Sequence, residues 1–232
     1  MIGIKEGIME FVVDESIKAL GIQEIVIGIA KNVEANVKLS DEFLEKQAKA
    51  ERSALDCDVE KLADDHVIEG YNALLKKVGR SPKKNPPTAI ALIKNIQHRG
   101  VIPHINSIID IYNVESINSL LAIGGHDLDK IDDYIKFTVS KKEDSFLPIL
   151  STPKHVSETD YVYCDSKGIA AWLDVRDGEN YKFDDNTKNA IFIIQGNENT
   201  SVEMRLEALA RIESDLKGCM PNLEFKTLVV NS

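Results

Sequence analysis

The stretch Pro103–Ile131, PHINSIIDIYNVESINSLLAIGGHDLDKI, constrains this chain more than any other. It sets an apolar helix, two adjacent glycines and an imidazole beside a carboxylate within one short run. Asn106 or Ser107, just after Pro103, can cap the helix, because a short polar side chain accepts from the free N–H groups of the first turn. Ile108, Ile109, Tyr112, Ile117, Leu120 and Leu121 recur near the helical period and predict one apolar stripe. Asp110 and Asn113, three apart, share a side of that helix. Gly124-Gly125 is expected to stop it, since glycine adopts backbone angles that a Cβ forbids. Asp110 and Asn113 would then lie near His126 and Asp127 in a small polar pocket.

Composition narrows what such a pocket can serve. With 43% apolar and 28% charged residues in 232, the chain reads as an ordinary globular protein. Its length buries roughly 70% of the unfolded surface without staples. We expect one domain over 1–232. The net charge of -10 is unlike that of a strong nucleic-acid binder, so an RNA partner would need a local basic patch. Cys57, Cys164 and Cys219 are odd in number and fit no zinc spacing, which points to reduced thiols and a cytoplasmic location. No apolar run is long enough to span a membrane, and MIGIKEGIMEF lacks the apolar core of a leader. No Walker loop, metal spacing or nucleophile elbow occurs, so no cofactor or metal is expected.

Along the rest of the chain, Met9–Asp14 and Glu24–Ala30 read as strands that join the main sheet. Helices are predicted over Ser40–Arg52, Asp58–Val78 and Thr88–Arg99. Gly70 inside the second implies close packing, and His66 reads as a boundary residue. KKVGRSPKK, at Lys76–Lys84, is the most basic stretch. It reads either as a solvated helix end or as a phosphate-binding edge built from Lys76, Lys77, Arg80, Lys83 and Lys84. Short strands are predicted over Tyr134–Val139, Tyr161–Cys164, Ile169–Val175 and Ala190–Ile194, with Asp165–Gly168 as a hairpin connection. Thr200 and Glu203 match a capping box before a last helix, and Phe225–Val230 reads as a final strand. The alternation is an α/β or α+β pattern.

The run NSIIDIYN, about ten residues, then GGHDLDKI, and later DDNTKNAIFII, resembles the tRNA-editing domain of the phenylalanyl-tRNA synthetase beta subunit. Asp110, Asn113, Asp127, Asp129, Lys130, Thr187 and Asn189 fall on its pattern, over roughly Arg80 to Ile194. Tyr112 stands where that family has Thr, Gly124 where it has His, and His126 at an aromatic position. The resemblance implies mixed sheets packed as a sandwich-like core flanked by helices, with residues 80–194 as the core and 1–79 and 195–232 closing it. It implies a free-standing domain that binds tRNA or aminoacyl-tRNA and hydrolyses a mischarged ester. His126 or Glu179 would orient water, and Asn106, Asp110, Asn113, Gly124, Gly125, Asp127 and Arg176 would line the substrate pocket, with backbone donors at Gly124-Gly125. The rival reading is a non-catalytic module that holds a free amino acid or similar small molecule in the same pocket.

Overall fold

The computed structural model describes residues 2–6, 9–173 and 175–231, with backbone alone for 2–6. The opening segment MIGIKEGIMEF falls partly outside these residues, at Met1, Gly7 and Ile8.

Two sheets pack face to face, and helices cover the outside of one of them. The first sheet has the order β1 (Ile2–Glu6), β2 (Met9–Val13), β5 (Tyr134–Val139), β8 (Tyr161–Cys164), β9 (Ile169–Trp172) and β10 (Arg176–Asp177). The second has the order β12 (Glu224–Asn231), β3 (Glu24–Lys31), β11 (Asn189–Ile194) and β4 (Gly124–Asp127). Among the described residues, only β2 and β5 pair in parallel. A small hairpin, β6 (Ser145–Phe146) with β7 (Lys154–His155), lies on the outer face of the first sheet. The sandwich flanked by helices is the expected architecture. The N-terminal strands, however, divide between the sheets. β2 enters the first and β3 the middle of the second, and α1 (Glu15–Ala19) carries the chain across between them.

The unbroken apolar run of β3 follows from this position. Ile25, Ile27 and Ile29 face the first sheet, while Val26 and Ala30 face the helices. A strand buried on both faces cannot alternate with polar residues. Gly28 sits on the helical side, where a Cβ would lie 2.7 Å from both Leu209 and Phe225.

The helical layer contains α2 (Asp41–Asp56), the short α3 (Val59–Leu62), α4 (His66–Lys77), α5 (Thr88–Arg99), α6 (Ser107–Ser119) and α7 (Val202–Cys219). The helix expected over Asp58–Val78 is broken in two. Asp65 turns its carboxylate back onto the N–H of Val67 at 2.8 Å and starts α4 afresh. Gly70 lies against Asn197, whose Oδ1 would be 2.0 Å from an added Cβ, so the expected close packing is present. α7 is capped by Ser201 rather than Thr200, because Thr200 Oγ1 accepts from Asn197 N instead.

α6 departs most from its single predicted stripe. α2, α5 and α7 surround it, and Ser107, Asp110, Glu115 and Ser116 are buried along with its isoleucines. Glu115, fully buried, accepts two bonds from Arg211, at 3.0 and 2.9 Å, and has Lys46 at 3.6 Å. Of the two capping candidates, Asn106 is used, its Oδ1 accepting from Ile109 N at 2.9 Å. The helix ends at Leu120, in the left-handed region with φ 61°. Gly124-Gly125 therefore does not end the helix. It opens edge strand β4, paired with β11. Among the described residues, no helix is long and apolar enough to cross a membrane.

Candidate functional site

Strand alternation decides which motif residues meet. Along β4, Gly124 and His126 face the first sheet, whereas Gly125 faces Tyr112 and Phe183 of the helical side. On β8, Tyr163 points inward opposite Ala171 of β9, and Asp177 of β10 pairs with that same Ala171. Period-two geometry thus puts Tyr163 and Asp177 on the inner face, and turns Arg176 outward beside Trp172. His126 and Tyr163 are hydrogen-bonded through Nε2 and the hydroxyl, and Asp177 Oδ1 lies 3.9 Å from the same nitrogen.

Tyr163 and Asp177 form the floor, with His126 beneath it, of a cleft of about 320 Å³ between α5, α6 and the open ends of both sheets. Asn95, Asn113 and Gln195 bring three carboxamides to its walls, and Ala91, Leu92, Ala122, Ile123 and Leu173 make them partly apolar. Gln195 is only 4% exposed, yet its side chain has no hydrogen-bond partner among the described residues. β4 is the edge of its sheet, so half of its backbone groups point away from β11.

Burial sets the electrostatics. His126 has no exposed surface, and desolvation lowers its pKa to about 3, so the ring is neutral at ordinary pH. Its Nδ1 has no partner among the described residues. The Asp177 side chain keeps 33% of its surface open to the cleft. Its protein surroundings still withdraw enough water to push its pKa up to about 7. Burial likewise raises the Tyr163 and Tyr112 phenols, which stay protonated.

Of the residues singled out from the sequence, Asn113, Gly124 and Arg176 line the cleft and His126 lies beneath its floor. Gly125 is filled over by Tyr112 and Phe183, so the two glycines admit aromatic rings where close approach of a ligand was expected. Asp110 turns back to the loop before α6. Its Oδ1 accepts from Ile105 N at 3.1 Å, and its Oδ2 lies 2.5 Å from His104 Nδ1. Asn106 is occupied as the helix cap. Asp127 accepts from Thr187 at 2.7 Å and has Lys130 at 3.4 Å, while Asn189 donates to Asp129 at 2.8 Å. Asp127, Asp129, Lys130, Thr187 and Asn189 therefore tie the end of β4 to the start of β11, away from the cleft. Glu179 is also displaced from the expected pocket. It sits in the turn after β10, paired with Lys182 and accepting from Leu150 N at 3.2 Å.

The expected basic edge is split. Lys76, Lys77, Lys83 and Lys84 are exposed, Lys77 pairing with Glu198 at 2.8 Å. Arg80 instead turns inward. Its side chain is 8% exposed, 3.0 Å from Asp160, bonded to Leu173 O and set over the Trp172 ring at 5.5 Å. It anchors the loop that leads into α5 and is withdrawn from solvent. The strand expected over Ile169–Val175 ends at Trp172, and Asp174 lies outside the described residues. The run Arg176-Asp177-Gly178-Glu179 reads from sequence as a pocket loop with Arg176 and Glu179 as its site residues, whereas the fold puts Asp177 of that run in the cleft, together with Tyr163, which the sequence does not single out. The signal was available in part: in RDGE, period two sets Asp177 out of step with exposed Arg176.

A family model described as "B3/4 domain" matches residues 70–219, a span that includes every residue lining the cleft. Among solved structures, the chain is similar to an N-terminal fragment of the phenylalanyl-tRNA synthetase beta-subunit from Pyrococcus horikoshii. That likeness has 13% identity and a TM-score of 0.50, and covers 99% of this chain and 56% of that one. The chain thus spans a little over half of that fragment, and the likeness is one of fold. No curated protein matches it.

Proposed function

From the chain's membership of the B3/4 domain family, we propose that it binds aminoacyl-tRNA and hydrolyses the ester between amino acid and terminal ribose. The observation that carries this reading is the cleft floor, where Asp177 reaches open space with neutral His126 and Tyr163 behind it. Asp177 takes a proton from a water held against the ester carbonyl. The water oxygen bonds to the carbonyl carbon, the bond to the ribose oxygen breaks, and the proton passes to that oxygen. A carboxyl group tuned near neutral pH suits both proton transfers. The carboxamides of Asn95, Asn113 and Gln195, and the outward N–H groups of the β4 edge, are the available donors for the developing oxyanion. Lys83 and Lys84, close in sequence to the cleft-lining Pro86, supply exposed charge for the phosphate backbone.

The test is release of amino acid from a panel of correctly and incorrectly charged tRNAs. Release from a mischarged species, lost in Asp177→Asn and retained in Glu179→Ala, is the expected result. No release from any species would overturn the catalytic reading. A non-catalytic module for a free amino acid or similar small molecule is the second reading. It draws on the net charge of -10 and on the withdrawal of Arg80 from the basic edge.

A further inference from the structure

Leu150 is disfavoured where it stands on two separate grounds. It is 89% exposed, the highest value among the exposed large apolar side chains described. Its backbone also lies in the left-handed region, with φ 55°. A Cβ crowds the neighbouring carbonyl there, so glycine or asparagine is the ordinary occupant. Leu120 has a similar angle, φ 61°, but packs against the core. The fold nonetheless holds Leu150 firmly. Ile149 N donates to Asp177 O at 3.0 Å, Glu179 N to Leu147 O at 2.9 Å and Leu150 N to the Glu179 carboxylate at 3.2 Å. Lys182 meets the charge of that carboxylate. The loop thus runs along β10, the edge of the first sheet. A strained residue fixed by several bonds points to a function for its side chain.

Beside Leu150, exposed Arg176 donates from Nη1 to Ile149 O at 3.4 Å. Across the strand pair from Arg176, on the same outer face, is half-buried Trp172, and both residues also line the cleft. Phe146 and Arg80 pack against the Trp172 ring and fix it in place. One leucine, one guanidinium and part of an indole make too small a face for a protein partner, which needs roughly 800 Å² on each side. They match a flat ring joined to an anionic backbone. Unpaired bases stack on aromatic and guanidinium planes, and the phosphate takes the cation. We propose that Leu150, Arg176 and Trp172 form a platform for an unpaired nucleotide of an RNA partner. The inference deepens the aminoacyl-tRNA reading and rests on it: the platform holds a single-stranded end of the partner while the acyl group occupies the adjoining cleft.

Trp172 is the chain's one tryptophan, so its fluorescence reports on the platform directly. The experiment titrates the full chain with single-stranded RNA hexamers of A, C or U, with an abasic hexamer and with a blunt RNA duplex. At least one base-bearing hexamer should quench Trp172 saturably, and the abasic hexamer and the duplex should bind about tenfold more weakly or less. Leu150→Asn and Arg176→Ala should each weaken hexamer binding by about tenfold. Leu150→Asn should also keep or raise the urea midpoint, because asparagine tolerates the left-handed region. Absence of quenching by every hexamer would overturn the proposal, as would equal binding of the abasic hexamer or an affinity untouched in Leu150→Asn. A lowered urea midpoint in Leu150→Asn would overturn it too, by making that leucine structural. Hexamer binding without deacylation of any charged tRNA would uphold the platform and overturn the hydrolytic reading alone. Deacylation without hexamer quenching would do the reverse.

Discussion

Tyr163 and His126 are hydrogen-bonded across the seam between the two sheets, their rings edge to face with centroids 5.3 Å apart and an interplanar angle of 75°. One residue belongs to β8 of the first sheet and the other to β4 of the second. The bond is possible because position 124 has no side chain: a Cβ there would lie 2.7 Å from the Tyr163 hydroxyl. The sequence GGH thus encodes a polar link through an otherwise apolar sandwich, and that link underlies the cleft floor.

Alanine at either glycine should therefore be costly. At Gly125 a Cβ would stand 2.8 Å from Tyr112 and 3.0 Å from Phe183. Gly124→Ala and Gly125→Ala should each lose about 1–3 kcal/mol in urea unfolding, as overpacked cores do. Gly218→Ala, in α7 with only Ser40 Oγ at 3.8 Å, should be neutral or gain up to about 1 kcal/mol. Equal effects at all three positions would contradict the packing described here.

Acid should destabilise the fold through His126. Its native pKa of about 3 is below the ordinary value of 6.5, so the unfolded chain binds a proton that the native chain refuses. The resulting stability is complete above about pH 6.5 and is lost as pH falls toward 3, by up to roughly 5 kcal/mol. Asp177, raised to about 7, works with the opposite sign and lowers stability as pH climbs from about 4 through 7. Unfolding curves for wild type and His126→Gln across this range separate the two. The variant should keep the Asp177 trend and lose the acid limb.

The same carboxyl group should shape the rate. Ester hydrolysis should rise with pH through about 7 as Asp177 ionises, because only the carboxylate accepts a proton from water. Asp177→Asn should lower the rate about 10²-fold and flatten the profile. His126 is neutral throughout this window and adds no limb of its own. A wild-type rise centred well away from 7 would remove Asp177 from the reaction.

Arg80 and its neighbouring lysines should separate cleanly. Arg80→Ala strands buried Asp160 and should cost about 3–5 kcal/mol of stability, with no change in the salt slope of tRNA binding. Lys83→Ala and Lys84→Ala should leave stability unchanged and reduce that slope by about 1 each. A reduced slope in Arg80→Ala would return that residue to the basic edge.

Local chemistry was legible in the sequence. The periodicities of β3, α5 and β11, the Asn106 cap and the Asp165–Gly168 hairpin each depend on a few neighbouring residues, and these elements lie where the pattern places them. The motif that carries the family resemblance was legible too, but its geometry was not. Most of its polar residues fasten β4 to β11, because Asp127, Lys130, Thr187 and Asn189 meet only after the two strands pair. The glycine pair could not be assigned to a strand or a turn from sequence, since its partners, Tyr163 and Tyr112, come from another sheet and another helix. Arg80 looked like its lysine neighbours until Asp160, distant in the chain, drew it inward. What the sequence by itself determined was the regular elements whose period is strong, such as β3, α5 and β11. Only the tertiary structure decided that Asp177 and Tyr163 share one floor with His126 beneath it, because desolvation and charge depend on what the fold places around a side chain.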